Sequence, residues 1–159
     1  MPGIDGKEFM IEAIKKAQEN ITTGKGGPFG AVVVRDGKII SAVGNRVTST
    51  NDPTAHAEVV AIREACKTLD TFDLSGCEIY ASCEPCPMCL GAIMWARIDK
   101  LYFAADRKDA SRAGFDDEVF YTELALPVEK RVLKPTQMMR EEANEVFERW
   151  IEDNTKIPY

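Results

Sequence analysis

The sequence has little that would suit it to a membrane or to a nucleic acid. It contains no apolar run long enough to cross a bilayer, and its first residues lack the basic-then-apolar pattern of a secretory leader. Its 20 lysines and arginines are outnumbered by 26 aspartates and glutamates, which gives a net charge of −6. Proteins that bind a phosphate backbone usually present a basic surface. We therefore expect a cytoplasmic protein with a small, uncharged substrate and without a membrane or nucleic-acid partner.

Histidine is also scarce, and most of the cysteines lie close together. The chain has one histidine, His56, and five cysteines, which is an odd number. Three of the cysteines, Cys83, Cys86 and Cys89, are crowded between residues 83 and 89. Disulfide frameworks normally use an even number of cysteines, so we do not expect one here. A reducing cytoplasm fits this pattern best, because thiols that bind a metal must stay reduced.

The chain has the length of one domain. Its 159 residues are 45% hydrophobic and 29% charged, an ordinary globular composition, so we predict a single domain over residues 1–159. Hydrophobic periodicity and turn residues predict helices at residues 7–21, 54–69, 86–96, 109–113 and 137–153, and strands at 31–34, 38–43, 78–82, 101–104 and 131–133. This alternation predicts an α/β fold with three α/β/α layers and a mixed, mostly five-stranded sheet.

The first and last predicted helices are amphipathic. The apolar stripe of the first contains Met10, Ile14, Ala17 and Ile21. The apolar stripe of the last contains Met139, Ala143, Val146, Phe147, Trp150 and Ile151, with charged residues opposite. We expect the last helix to pack on the core rather than to bind a membrane.

Cys86 directly follows Pro85, and Cys89 comes three positions after Cys86. If a helix begins at this proline, both thiolates project from the same side of its first turn, and the positive end of the helix favours the thiolate form. With the nitrogen of His56 they form a ligand set that suits Zn²⁺ better than Mg²⁺ or Ca²⁺. Three protein ligands leave one tetrahedral position open, as in catalytic zinc sites.

Glu58 follows His56 by two positions, so on a helix the two side chains cannot share a face. The glutamate is therefore poorly placed as a fourth ligand, but near the start of a helix it could reach a metal-bound water and shuttle its protons. The order His-x-Glu and then Pro-Cys-x-x-Cys is the signature of zinc-dependent nucleobase deaminases. Residues 56–58 and 85–89 match it in full.

The three clustered cysteines also have interpretations that do not involve catalysis. Cys86 and Cys89 could be a redox pair, although such a pair needs no distant histidine and glutamate. Cys83 could join His56, Cys86 and Cys89 in a closed structural site, or it could be a small buried residue at the end of a strand. A structural site would have no use for the carboxylate of Glu58.

Two further residues have both a structural and a functional interpretation. Phe29 follows a glycine-rich loop at residues 22–28, and it is either a core aromatic or a side chain that stacks on a flat base. Asn45 follows the second predicted strand. It is either a turn residue or a hydrogen-bonding group at the site, because the chain passes from there into the helix of His56.

Two longer segments carry a family resemblance. Residues 53–58 (Pro-Thr-Ala-His-Ala-Glu) and 83–92 (Cys-Glu-Pro-Cys-Pro-Met-Cys-Leu-Gly-Ala) resemble the cytidine deaminase superfamily. Within it, the chain resembles the small bacterial guanine deaminases, on the basis of residues 26–30 (Gly-Gly-Pro-Phe-Gly), 51–54 (Asn-Asp-Pro-Thr), 113–117 (Ala-Gly-Phe-Asp-Asp) and the terminal Tyr159. The resemblance therefore spans nearly the whole chain and implies a cytidine deaminase-like fold.

The resemblance also implies a role for each matching residue. His56, Cys86 and Cys89 would bind one zinc ion per subunit, and Glu58 would be the proton shuttle. The implied substrate-binding residues are Phe29 against the face of the purine, Asn45 and Asp117 as hydrogen-bonding groups on its edges, Ala57, and Tyr159. In such guanine deaminases the C-terminal segment, about residues 137–159 here, crosses to the partner subunit, so a homodimer is expected in which Tyr159 covers the other chain's site.

The implied reaction belongs to purine catabolism and salvage. A zinc-bound hydroxide would attack C2 of guanine, Glu58 would move the protons, and xanthine and ammonia would leave. The chief rival is a tRNA-specific adenosine deaminase acting at the anticodon wobble position, which has the same zinc motif. A cytidine or cytosine deaminase and a zinc-stabilised binding module without catalysis are two further candidates.

Overall fold

The computed structural model describes residues 6–159 and shows an α/β fold built on a mixed sheet. The helices are α1 (Lys7–Thr23), α2 (Val47–Thr50), α3 (Ala57–Leu69), α4 (Pro87–Trp95), α5 (Arg107–Arg112), α6 (Glu118–Ala125) and α7 (Arg140–Glu152), and Val128–Lys130 forms a 3₁₀ turn. The strands are β1 (Gly30–Arg35), β2 (Lys38–Gly44), β3 (Cys77–Cys83) and β4 (Lys100–Ala105).

The sheet has the strand order β2-β1-β3-β4. β1 runs antiparallel to both β2 and β3, whereas β3 and β4 are parallel. The predicted hairpin between β1 and β2 is confirmed, and its turn residues Asp36 and Gly37 have φ angles of 51° and 71°. Positive φ at both central residues is what a two-residue turn of type I′ requires, which explains the Asp-Gly sequence.

Helices cover both faces of the sheet, so the predicted three-layer architecture is confirmed. Side chains alternate along β1. Val32 and Val34 pack with Phe9 of α1 on one face, and Val33 packs with Ala61 of α3 on the other. The largest buried side chains belong mainly to the central strands, which places the core directly above and below β1 and β3.

The buried side of α1 differs from the predicted stripe. It consists of Phe9, Ala13, Ala17 and Asn20, whereas Ile14 and Ile21 are 37% and 72% exposed. Close approach of helix and sheet explains the difference. A Cβ atom added at Gly30 of β1 would lie 2.0 Å from the carbonyl oxygen of Ala13, so small residues rather than isoleucines face the strand.

The helices that carry the predicted metal ligands begin immediately after a ligand. His56 caps α3 with extended backbone angles (φ −62°, ψ 153°), and Cys86 caps α4 in the same way (φ −65°, ψ 168°). Pro87 occupies the first turn of α4, where its missing N–H costs nothing. The predicted start of α3 at residue 54 is too early, because the N–H and hydroxyl of Thr54 donate to the side chain of Asp52 in a turn.

The chain divides into two compact units, Met1–Asp117 and Glu118–Tyr159. The sheet lies in the first unit. It has four strands in the part of the chain that is described, so the expectation of a mostly five-stranded sheet is wrong. Single-domain organisation and exchange of the C-terminal segment between subunits stay predictions.

The missing strand is the one predicted at residues 131–133, which form a bend in the second unit. The N–H of Val132 donates to the carboxylate of Glu123 at 2.8 Å, so a local side chain satisfies a group that a strand would pair. Val132 and Leu133 are both 86% exposed. Prolines at positions 127 and 135 flank the segment and restrict its pairing further.

α7 begins at Arg140 rather than at the predicted residue 137. Its apolar stripe is exposed in the single chain: Val146, Phe147 and Ile151 are 66%, 64% and 61% accessible. The expectation that this stripe packs on the core stays a prediction. None of the helices among residues 6–159 has the length and the apolar character that a membrane span needs.

Candidate metal centre

The N-termini of α3 and α4 meet on one face of the sheet. β3 ends at Cys83, and a short loop then delivers Cys86 to the start of α4. Cys89 follows one helical turn later, so its sulfur lies beside that of Cys86. His56 approaches from the start of α3, because α3 packs against both the sheet and α4.

The three predicted ligands form a compact cluster. The Nδ1 atom of His56 lies 3.6 Å from the sulfur of Cys86 and 3.4 Å from the sulfur of Cys89, and the three ligand atoms all lie within 4.8 Å of one another. Zinc bonds of about 2.0–2.1 Å to nitrogen and 2.3 Å to sulfur, at tetrahedral angles, require nitrogen and sulfur to be about 3.6 Å apart. The donor atoms therefore fit a zinc ion as they stand.

The protonation of the cluster also fits a cation. The hydrogen bond from the Cys89 thiol lowers the pKa of Cys86 to about 4, while the adjacent Cys86 sulfur and burial raise the pKa of Cys89. The hydrogen bond to Cys86 raises the pKa of His56. One thiolate thus forms readily and the second does not, because Cys89 holds its proton in the hydrogen bond to Cys86 and because two thiolate charges would repel. A divalent cation between them removes that repulsion and holds both sulfurs as thiolates.

Glu58 lies in the first turn of α3 against the same cluster. Its side chain is only 7% exposed, and its Oε2 atom accepts a hydrogen bond from the sulfur of Cys89 at 3.4 Å. Burial raises the pKa of its carboxyl group, because the charged form loses its hydration. The carboxylate is not one of the clustered ligands, so it is available to exchange a proton with a molecule held beside them.

Cys83 is not part of the cluster. Its sulfur donates to the carbonyl oxygen of Asp106 at 3.6 Å, and burial raises the pKa of its thiol to about 11. The Cys83 sulfur thus bonds to a backbone carbonyl and does not lie among the clustered ligand atoms. Among the described residues, the group that could hold a metal ion therefore consists of His56, Cys86 and Cys89, without Cys83.

Asn45 lies at the end of β2 and is only 6% exposed. Its Oδ1 atom accepts hydrogen bonds from the N–H groups of Gly27 at 3.3 Å and Val47 at 3.0 Å. Two N–H donors facing the same atom identify it as the amide oxygen. The NH₂ group of Asn45 is therefore the part of the side chain left to donate to a bound molecule.

Phe29 is half-buried directly before β1 and packs against the core cluster on the α3 face of the sheet. Its ring meets the ring of Phe115 edge to face, with centroids 4.9 Å apart and planes at 84°. Such a T-shaped pair holds the orientation of both rings. Phe29 thus has a core role and also presents an oriented aromatic surface.

Asp117 is half-buried at the end of the first unit. Burial raises the pKa of its carboxyl group, the nearby Cys86 also raises it, and Arg107 lowers it. These influences place Asp117 in the same electrostatic neighbourhood as the metal cluster. Glu84 belongs to that neighbourhood too, and its carboxylate accepts the backbone N–H of Arg107 at 3.1 Å.

The remaining two predicted site residues differ in position. Ala57 is the first residue of α3 and is completely buried, so its backbone N–H belongs to the set that has no partner within the helix. Tyr159 lies in the second unit and is 71% exposed.

Three residues near the site were not assigned a role from the sequence: Asn20, Glu84 and Phe115. Asn20 had a detectable signal, because it is a polar residue spaced three positions after Ala17 on the buried side of α1. Glu84 and Phe115 had none, since their contacts with Arg107 and Phe29 join distant parts of the chain.

Comparisons with known proteins agree with this geometry. Residues 5–105 match the family described as the cytidine and deoxycytidylate deaminase zinc-binding region. The chain is 51% identical to guanine deaminase from Bacillus subtilis over 142 residues, 89% of this chain and 91% of that protein.

The crystal structure of a Bacillus subtilis guanine deaminase superimposes with a TM-score of 0.95 at 47% identity, and the match covers 98% of this chain and 99% of that one. A tRNA-specific adenosine deaminase from Aquifex aeolicus is 46% identical, but only over 105 residues, 65% of this chain and 69% of that protein.

Proposed function

The chain belongs to the zinc-binding cytidine and deoxycytidylate deaminase family, and on that basis we propose that it hydrolyses guanine to xanthine and ammonia. The observation that carries the deaminase chemistry is the cluster of His56, Cys86 and Cys89 with the buried carboxylate of Glu58 beside it. The choice of guanine is supported by the 51% identity to a guanine deaminase over 89% of the chain.

In this proposal His56, Cys86 and Cys89 hold one zinc ion per subunit. When bound, zinc lowers the pKa of water, so that a hydroxide nucleophile is available near neutral pH. Two sulfurs and one nitrogen bring a net negative charge to the site, which offsets the charge of the ion. His56 and Cys86 are half-buried, whereas Cys89 is buried.

Glu58 moves the protons. It accepts one proton from water and delivers it to a ring nitrogen of guanine as oxygen adds to C2. It then takes the second proton from the new hydroxyl group on C2 and transfers it to the departing amino group, so that ammonia leaves and the C2 carbonyl of xanthine forms. Burial raises the pKa of its carboxyl group, which brings the acid and base forms closer together in free energy near neutral pH. Its position in the first turn of α3 places its carboxylate beside Cys89, one of the proposed zinc ligands.

Asp117, Asn45, Phe29 and Ala57 orient the base. A carboxylate accepts hydrogen bonds only, so Asp117 suits the ring N–H and amino groups of guanine. Adenine and cytosine have a ring nitrogen that accepts beside their amino group, and Asp117 would repel it. The NH₂ group of Asn45 and the backbone N–H of Ala57 donate to acceptor atoms of the purine, and Phe29 packs on its face.

The test is ammonia release from a panel of substrates by the zinc-loaded protein. The panel contains guanine, adenine, cytosine, cytidine and an anticodon stem-loop RNA, with Glu58→Gln protein as the matched control. We expect release from guanine far above that from the others. Release mainly from the stem-loop would identify a tRNA adenosine deaminase, and bound zinc without turnover of any substrate would identify a binding module.

We also propose that two copies form a dimer in which the C-terminal segment, with Tyr159, covers the partner's site. The exposed apolar side chains of α7 support this, since a partner would bury them. A variant that ends at residue 152 and a Glu58→Gln variant should each be inactive. Activity that appears when they are unfolded and refolded together would support the exchange, and an inactive mixture with the mass of a mixed dimer would contradict it.

A further inference from the structure

Asn20 is the one polar member of the buried side of α1, and it is only 7% exposed. We propose that Asn20 is a positioning residue that holds the two segments carrying Phe29 and Asn45 in register for purine binding. The inference rests on the proposed function for its substrate. Its structural part rests only on contacts between α1, the loop before β1 and the end of β2.

Asn20 joins these segments through both protons of its NH₂ group. Its Nδ2 atom donates to the carbonyl oxygen of Gly27 at 2.9 Å and to the carbonyl oxygen of Asn45 at 2.8 Å. The N–H of Gly27 in turn donates to the side-chain oxygen of Asn45 at 3.3 Å. Asn20, Gly27 and Asn45 therefore form a closed ring of hydrogen bonds.

Phe29 is tied to the same ring. Its carbonyl oxygen accepts the backbone N–H of Asn45 at 3.0 Å, and its own N–H donates to the carbonyl oxygen of Gly27 at 2.8 Å. A displacement of Gly27 or Asn45 would consequently move Phe29 as well. One buried amide on α1 thus determines the placement of an aromatic side chain and a hydrogen-bonding side chain.

The backbone segments around the ring approach one another closely. A Cβ atom added at Gly26 would lie 2.0 Å from the carbonyl oxygen of Asn45, and one at Gly44 would lie 2.7 Å from the side-chain oxygen of Asn20. The glycines at these positions let the two segments approach each other and α1 closely. The amide of Asn20 satisfies the carbonyl groups that this close approach buries.

The substitution Asn20→Asp is nearly isosteric but replaces the NH₂ donor by an oxygen that repels both carbonyl groups. Asn20→Ala removes the donor without adding charge. In the proposed function, Phe29 and Asn45 contact the base in both the ground state and the transition state. Their misplacement should therefore weaken the binding of both states equally, which raises KM and leaves kcat nearly unchanged. We expect KM for guanine to rise about tenfold or more in both variants, with kcat changed less than about threefold and with zinc retained.

A second readout does not depend on any substrate. The N–H groups of Gly27 and Val47 both donate to the side-chain oxygen of Asn45, so their hydrogen exchange, followed by NMR, reports the order of this region. Both should exchange faster in the Asn20 variants. The matched control is Ser41→Ala, which removes another buried hydrogen bond, from the Ser41 hydroxyl to the carbonyl oxygen of Ala61 at 2.8 Å, and should leave both exchange rates and KM unchanged.

The results for the Asn20 and Ser41 variants support or overturn the positioning role of Asn20 as follows. Unchanged KM and exchange rates in the Asn20 variants would overturn it. Equal effects in Ser41→Ala, or loss of zinc or of folding in both Asn20 variants, would also overturn it, because Asn20 would then serve general stability. If the wild-type protein does not deaminate guanine, the proposed function fails, but faster exchange of Gly27 and Val47 alone would still support the positioning role.

Discussion

The Nδ1 atom of His56 lies 3.4 Å from the sulfur of Cys89, although 33 positions separate the two residues. The contact joins the start of α3 to the first turn of α4. Because Cys86 lies 3.6 Å from the same nitrogen, the three side chains form one site. A change to any of them is therefore expected to alter the whole site rather than one bond.

The first prediction concerns the metal. Cys86→Ser and Cys89→Ser each replace a soft thiolate by a hydroxyl that zinc binds weakly, so both variants should lose zinc and activity together. The measurement is zinc per chain by atomic spectroscopy after gel filtration. Cys83→Ser is the matched control, because its sulfur bonds to a backbone carbonyl, and it should keep both. Equal zinc loss in all three variants would show that the three-ligand assignment is wrong.

The second prediction concerns the proton shuttle. Glu58→Gln keeps the size and packing of a side chain that is only 7% exposed but removes its ability to exchange a proton. Turnover should fall by about 10²–10⁴-fold, the usual contribution of a general acid–base, while the zinc content stays at the wild-type level. Ammonia release and zinc content are measured on the same sample. Substantial turnover in Glu58→Gln would remove Glu58 from the mechanism.

The third prediction concerns the choice of base. Asp117→Asn places an NH₂ donor where a carboxylate would accept from guanine, so kcat/KM for guanine should fall by about 10–100-fold, as expected for the loss of hydrogen bonds to a charged group. The neighbouring Asp116 is exposed, and Asp116→Asn is the control for loss of a carboxylate nearby. Comparable losses in the two variants would indicate a general charge effect instead of recognition by Asp117.

The fourth prediction concerns pH and the start of α5. Asp106 accepts the N–H groups of Asp109 and Lys108 at 3.0 Å and 2.9 Å, and these hydrogen bonds hold the pKa of its carboxyl group below the ordinary value. A group with a lowered pKa in the folded state stabilises it above the unfolded pKa of about 4, and that contribution is lost as the pH falls through the folded pKa.

Asp106→Ala should therefore lower Tm at pH 7, and the difference from wild type should shrink as the pH falls below about 4. Asp106→Asn keeps an oxygen acceptor at the cap but removes the charge. It therefore distinguishes the contribution of the hydrogen bonds from that of the charge, and it should lower Tm less than Asp106→Ala does. Thermal unfolding followed by circular dichroism across this pH range checks both variants. A difference that grows on acidification would contradict the stated direction.

Local features of the fold were predictable from the sequence. Asp36 and Gly37 predict a two-residue hairpin because few other residue pairs adopt positive φ twice in succession. Cys86 and Cys89 lie one helical turn apart, so their shared side follows from helix geometry alone. Both predictions involve neighbouring residues and need no knowledge of the rest of the chain.

Features that depend on packing were not predictable in this way. Apolar periodicity placed Ile14 and Ile21 on the buried side of α1, whereas the close approach at Gly30 selects small residues. The apolar pair Val132 and Leu133 suggested a fifth strand, but the carboxylate of Glu123 satisfies the backbone there. In both cases a distant or competing group outweighed the local pattern.

The sequence by itself determined the chemistry of the site, since one imidazole, two thiols one turn apart and a carboxylate near the imidazole restrict the metal and the reaction class. Only the tertiary structure decided that His56 reaches the sulfurs, that Cys83 does not join them and that Asn20 ties Gly27 to Asn45. The physical reason is the distance along the chain over which each feature is determined. Ligand type and helical spacing are local properties, whereas these contacts form only when α1, α3 and α4 pack around the sheet.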